Sequence, residues 1–510
     1  MRKLIFSVPV VAAALMVATF PARAATLQSA VDALGASKLD SIEFSGTGQW
    51  FQFGQAPNPK LPWPPFDVSS YTADINYGTA SERVQITRKQ IVEANRVRPA
   101  PVEQKADQYI SGAYAWNLNA PAANAAAGSA PVASAQPAAV AERSAEIWAT
   151  PQGFLKAALA NHAISKPAKG GLEVSFTVDG KSRFVGIVNA KNQVEQVKTW
   201  IDTPVLGDTL IETRFSGYKD FNGVQFPSRI VRSEGGYPVL DINVATVAVN
   251  PVVGIEVPKE VTDAKAPVVT VTCTKIAEGV YYLTGGTHHS VAIDERDYVV
   301  LVEAPLNEER SLALIDKVHK VVPGKPIKYL VNTHAHFDHS GGLRTFVDEG
   351  ATIVTDEANK SYYQKIWAAP HTINPDHLAA SKKTAHFETF KGKHVLTDGK
   401  RAIEIYPIVG SGHDDAFALV YLPAEKILIE ADAFTPGPVN AAPPTTPNPY
   451  TVNLYDNIQK RKLDVDKIAA LHGRLTSLAE LGAAIGQDVA VSATSTTSQE
   501  SSSASSGAKW

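Results

Sequence analysis

Apolar and polar residues alternate in short runs through the first half of the chain. Residues 41–46 and 172–178 alternate in the period-two pattern of half-buried strands. Residues 229–232 and 239–244 repeat it on either side of Gly235-Gly236, which predicts a hairpin. A helix is expected over 151–162, with Pro151 near its start. Residues 26–262 therefore read as a mostly antiparallel β region.

The pattern changes after residue 267. Strand-length apolar runs fall at 279–284, 298–304, 327–333, 351–355, 402–408, 416–422, 426–431 and 467–471. Stretches of helical period lie between them at 308–321, 341–349, 356–367 and 450–461. Early hairpins followed by strand–helix alternation predict two sheets between two helical layers. The expected class is α+β: an αββα sandwich over 267–484, preceded by the β-rich domain of 25–262.

Composition refines these boundaries. A chain of 510 residues exceeds what one core supports. Residues 118–144 are rich in Ala, Pro and Ser and are expected to form a mobile loop or a loose helix. The Ser/Thr-rich stretch 485–510 reads as a disordered tail. Residues 1–24 carry Arg2 and Lys3, an apolar stretch, and Ala22-Arg23-Ala24. This is the form of a secretory signal peptide cleaved after Ala24. The expected product is an exported periplasmic or secreted protein with no stable membrane insertion. A net charge of −3 argues against nucleic acid as a partner, since such binding needs a concentrated basic surface. The single cysteine, Cys273, excludes a thiolate cluster, and its Val/Thr-rich surroundings predict a buried core thiol.

Tryptophans 50, 63, 116, 148 and 200 all lie in the N-terminal half. They suit core packing or an apolar trough. The proline-rich loop 61–66 is the expected contact surface there. Residues 215–227 are similar to strand–turn–strand stretches in the curved half-barrels of periplasmic lipoprotein carriers.

The chemistry concentrates after the strand expected at 327–332. His334, His336, Asp338 and His339 fall within six residues, followed by Gly341-Gly342. Two histidines at i and i+2 leaving a strand can converge on one ion, and Asp338 and His339 on the next turn can face a second. His413, Asp432 and His472 each border an apolar run, which places them at a sheet edge. Imidazole and carboxylate donors suit zinc, and also manganese or iron.

This set resembles the metallo-β-lactamase superfamily, over about 270–484. The resemblance implies two divalent ions, with His334, His336 and His413 at the first and Asp338, His339 and His472 at the second. Asp432 matches the bridging carboxylate. Glu303 stands where the family usually has an aspartate that supports the metal loop. His288 and His289 lie on an early hairpin expected to rim the site, and match no ligand of the family. The implied reaction is hydrolysis by a hydroxide bridging the ions, with Asp338 orienting it and handling its proton. An aspartate at 432 is common in hydrolases of esters, lactones and related small molecules, whereas the β-lactamases usually carry cysteine or serine there. Residues 360–394 and 434–450 are expected to shape the pocket. The expected function is cleavage of a carboxylic ester, lactone or related small molecule. The alternatives are a β-lactamase-like amide hydrolase, or an envelope lipid- or partner-binding protein with a structural metal domain. The sequence leaves the oligomeric state open.

Overall fold

The computed structural model describes residues 26–121, 128–266, 268–399, 401–439 and 441–487. The expected signal segment and the tail beyond 487 lie outside them.

The N-terminal domain is built on one antiparallel sheet. Ser41–Phe51 and Tyr237–Val249 pair at its middle. On one side the strands follow chain order out to Val132–Ala135; on the other they run back from Arg229–Glu234 to Ile164–Ala168. The helix Val140–Trp148 touches strands 81–90 and 103–111 and also Val194–Thr203 from the opposite half. One helix can reach both halves only if the sheet curls around it. Pro151–Ala160 follows in the same concavity, with Thr150 as its N-cap accepting from the Gly153 amide. Phe154 and Leu155 on that helix are fully buried, with Phe184 and Phe226 on the sheet. The Gly235-Gly236 turn has both residues at positive φ, as a tight hairpin of this hand requires.

Residues 118–144 depart from expectation. Among the described residues, Val132–Ala135 is a strand paired to Tyr114–Asn119, and Val140–Trp148 is a helix burying Ala145 and Ile147. Backbone pairing needs no large side chains, and alanine favours helix, so small-residue composition did not preclude order.

The C-terminal domain is an αββα sandwich. One sheet runs, in spatial order, Thr272–Ala277, Val280–Thr284, Ser290–Asp294, Val299–Val302, Ile327–Val331, Thr352–Asp356 and His386–Phe390. The other runs His394–Thr397, Ala402–Pro407, Ala418–Leu422, Ile427–Glu430, Lys467–Ala470 and Leu475–Ser477. Val300, Val302 and Val331 share a core with Ile405, Val420 and Ile429, which lie on one face of the second sheet. The outer face of the first sheet offers Leu301, Leu330 and Ile353 to Leu314, Phe346 and Tyr363 on its helices. The helix Glu308–Val321 shows why the sequence chooses helix there. Asn307 caps it, Glu308 and Glu309 open it, and His319 and Lys320 close it, in line with the helix dipole. Strands Ser290–Asp294, His386–Phe390, His394–Thr397 and Leu475–Ser477 escaped the hydrophobic pattern; their runs are short. Cys273 sits half-buried on the edge strand Thr272–Ala277, not in the core as expected.

The two domains meet at the loops that leave the sandwich edge. Phe337 donates its amide to the Gly54 carbonyl, and Asp415 donates its amide to the Pro57 carbonyl. Arg96 pairs with Asp415 at 2.9 Å. The Asp208 carboxylate accepts the amides of Thr372 and Ile373. Phe337 packs edge-on against Phe53 and Trp63. The loop 61–66 is thus a contact surface, and what it contacts is the second domain. No described helix is long and apolar enough to cross a membrane.

Leu301 is fully buried between sheet and helices. Leu301→Ala should destabilise the chain by about 2–5 kcal/mol, read from urea melts of the full-length protein. A loss under about 1 kcal/mol would mean that this layer is not tightly packed.

Candidate metal centre

Parallel strands deliver their chemistry at their C-terminal ends. Glu303 follows Val299–Val302, His334 follows Ile327–Val331, Asp432 follows Ile427–Glu430 and His472 follows Lys467–Ala470. His413 precedes Ala418–Leu422, which runs antiparallel to Ile427–Glu430, so it reaches the same edge. The short helix Phe337–Ser340 then turns Asp338 and His339 inward.

All seven residues singled out in the sequence come together. Candidate ligand atoms of His334, His336, His413 and Asp432 lie within 4.8 Å of one another. A second such group holds Asp338, His339 and His472, with His288. The Asp432 carboxylate spans the two. Its Oδ2 is 3.2 Å from His334 Nε2, 3.3 Å from His413 Nε2 and 2.9 Å from His339 Nε2. Its Oδ1 is 2.9 Å from His472 Nε2.

The donor set fits divalent cations. Both ring nitrogens of His336 are buried and have no hydrogen-bond partner. His334 Nε2 and His413 Nε2 face each other at 3.3 Å, and His339 Nε2 and His472 Nε2 at 3.0 Å. Nitrogens converging this closely, with so few protons to share, suit a shared positive ion.

Glu303 organises the floor. It is fully buried and takes φ +74°, a left-handed conformation that costs a non-glycine residue about 1–3 kcal/mol. Its Oε1 accepts from the Asn332 side chain at 3.1 Å, and its Oε2 from the Thr333 hydroxyl. Oε2 also lies 3.2 Å from His339 Nδ1. An acceptor there puts the proton on Nδ1 and leaves the Nε2 lone pair for the site. The Tyr363 hydroxyl in turn donates to Asn332 Oδ1 at 2.7 Å. The glutamate in place of the usual aspartate therefore reaches both the loop and His339.

Burial sets the protonation states. It pushes His334 down to about 4 and His336 well below the ordinary histidine value. Burial opposes a charge on His339 too, but Asp432 and Glu303 beside it hold its pKa well above normal. Burial works against ionising Asp432, and the neighbouring His339 and His413 outweigh it, keeping the carboxylate well below its usual range. Asp338 is likewise held low, because the His288 hydrogen bond and His339 overcome its burial.

Two residues near the cluster lie outside the expected ligand set. His288 Nε2, on the hairpin expected to rim the site, lies 3.1 Å from Asp338 Oδ2. Gln55, from the N-terminal domain, donates to Asp338 Oδ1 at 2.8 Å. No local pattern marks Gln55, because the contact joins residues 283 positions apart. Within 360–394, the segment expected to shape the pocket, several side chains pack or pair away from the ligands. Tyr363 and Trp367 stack in the core, His377 pairs with Glu308, and His394 pairs with Glu388. Tyr450 sets its ring 5.4 Å from that of His413.

A family model described as the metallo-beta-lactamase superfamily matches residues 283–472. The C-terminal domain belongs to that superfamily. Within this superfamily domain, Metallo-beta-lactamase type 2 of Elizabethkingia meningoseptica is 27% identical over 177 residues, 34% of this chain and 64% of that protein. Linear primary-alkylsulfatase of Pseudomonas sp is 30% identical over 76 residues, 15% of this chain and 11% of that protein. The chain spans less than two thirds of the length of either. A solved metallo-beta-lactamase from Pontibacter korlensis aligns at 21% identity and a TM-score of 0.33, covering 42% of this chain and 98% of that one. The superfamily match leaves the N-terminal sheet outside its bounds.

Because the metal-free His339, with Nδ1 facing Glu303, holds a second proton on Nε2 beside Asp432, an entering ion must displace that proton. Zinc binding should therefore release protons at pH 7, and its apparent affinity should weaken as pH falls. Calorimetry in two buffers of different ionisation enthalpy should give different observed enthalpies. Equal enthalpies would contradict the assigned protonation. Glu303→Gln keeps the shape but removes the charge facing His339, and should lower zinc affinity about 10–100-fold.

Proposed function

We propose that this chain is an exported dinuclear metal-dependent hydrolase, acting on a carboxylic ester, lactone or related small molecule. The observation that carries the reading is the Asp432 carboxylate set between two clusters of histidines. His334, His336 and His413 would hold one ion, and Asp338, His339 and His472 the other, with Asp432 shared. Zinc is the ion the donor set favours, with manganese or iron as alternatives. Two divalent ions in this setting supply Lewis acidity and bring the pKa of a water near neutrality.

The chain's own residues supply the geometry. Asp338 is the more open of the two carboxylates, and it is fixed from both sides by Gln55 and His288. A carboxylate so fixed can accept a hydrogen bond from the attacking water and take its proton. His288, already bonded to that carboxylate, is placed to pass a proton toward a leaving oxygen. Asp432 and the buried histidines set the spacing of the ions and keep the site rigid. Neither a serine nor a cysteine nucleophile is required. An aspartate at 432, in place of a thiolate, favours esters and lactones over β-lactam amides. The small-molecule substrate would approach past Tyr450 and the N-terminal loop around Gln55. Export rests on the sequence of residues 1–24.

The test is turnover of ester and lactone probes by zinc-loaded full-length protein. His336→Ala and Asp432→Ala should each lower kcat/KM more than about 1,000-fold while far-ultraviolet circular dichroism stays unchanged. Gln55→Ala should cost about 10–100-fold, with zinc content retained. Wild-type rates in the two ligand variants, or less than one bound metal per chain after supplementation, would sink the proposal.

A further inference from the structure

A cleft of about 880 Å³ opens between the two domains, and none of the candidate metal ligands lines it. Its walls include Leu61 and Trp63 from the N-terminal loop, Tyr237 beside the Gly235-Gly236 turn, and Phe337, Tyr362 and Ile366 from the sandwich. One loop serves both places. His334, His336 and Asp338 turn toward the metal centre, and the alternate residues Ala335 and Phe337 line the cleft. A mainly apolar, aromatic lining with a few polar groups is the usual make-up of a small-molecule site.

The cleft carries two acids and two lysines, which differ in their partners. Its acids are already engaged: Asp208 accepts two backbone amides at 2.8 and 2.9 Å, and Glu212 faces Arg214 at 2.7 Å and Lys198 at 3.5 Å. Lys60 and Lys365 also line it, and neither has a carboxylate partner among the described residues. The two come from different domains, one from the 54–63 loop and one from the helix Glu357–Trp367. The cleft thus joins an apolar interior to two ammonium groups that have no carboxylate partner, with Asp208 keeping its own charge on the same wall.

We propose that this cleft binds an amphiphilic anion. Its apolar chain or ring sits among Leu61, Trp63, Phe337 and Ile366, and its carboxylate, sulfate or phosphate is held by Lys60 and Lys365. The assignment stands on the cleft's own lining and does not require the hydrolase reading.

The test is calorimetry on zinc-loaded full-length protein with three probes of equal chain length: decanoate, decyl sulfate and decyltrimethylammonium, all below micelle formation. The expected result is saturable binding at one site per chain, at least about 10-fold tighter for an anion than for the cation. The double variant K60E/K365E should weaken anion binding at least about 10-fold and erase that preference. Leu61→Asp should weaken all three probes. His336→Ala, and the wild-type chain stripped with chelator, should bind the anion as before, even if neither hydrolyses anything. A preference between decanoate and decyl sulfate would support the site and name its head group. No saturable binding, equal affinity for anion and cation, or affinity unchanged by charge reversal would overturn it. Loss of anion binding on chelation, with folding retained, would also overturn it by moving the ligand to the metal centre.

Discussion

The structure turns on the company that Asp432 keeps. One carboxylate lies within about hydrogen-bonding reach of four imidazole nitrogens, at a sheet edge where little water can compensate. Imidazoles and carboxylates do not collect in a buried site for their mutual attraction alone, since burying them costs several kcal/mol each. Cations at the centre of both groups would resolve that cost. The sandwich supplies the edge: its strands run apolar from end to end, then release one polar residue each at the same rim. The supporting residues complete the logic. Glu303 accepts the strain of a left-handed backbone to face the loop and His339 together, and Tyr363 holds Asn332 beneath them.

The N-terminal domain is part of that arrangement and not a separate appendage. Its backbone carbonyls at Gly54 and Pro57 accept amides from the two loops that carry His336 and His413. Its Gln55 reaches Asp338 itself. Gly54 has positive φ, and a side chain there would run into Phe337 at 2.7 Å, so the close approach depends on glycine. The two domains therefore share a wall on one side of the metal loop and a cleft on the other.

Much of this was legible in the sequence. The central strands of the sandwich are long continuous apolar runs, and its main helices carry clear caps, so their positions followed from periodicity. The seven clustered residues were legible because four crowd into six positions after one such run and the other three each border another. What escaped was set by long-range packing. Several strands of the sandwich are too short to show a period. The small-residue stretch around 132–148 orders only because a neighbouring strand and the curled sheet receive it. His288 was legible as a residue of the rim, but its bond to Asp338 depends on how the hairpin packs on the metal loop. Gln55 carries no local signal at all, being an ordinary polar residue until the domains dock.

The central claim is that two ions share Asp432. Anomalous diffraction at the zinc edge, from crystals of the full-length protein grown with zinc, tests it most directly. The account predicts two peaks about 3.5–4 Å apart, one beside His334, His336 and His413 and one beside Asp338, His339 and His472, with the Asp432 carboxylate touching both. A single peak at full occupancy, or an Asp432 carboxylate turned away from the metal, would contradict it.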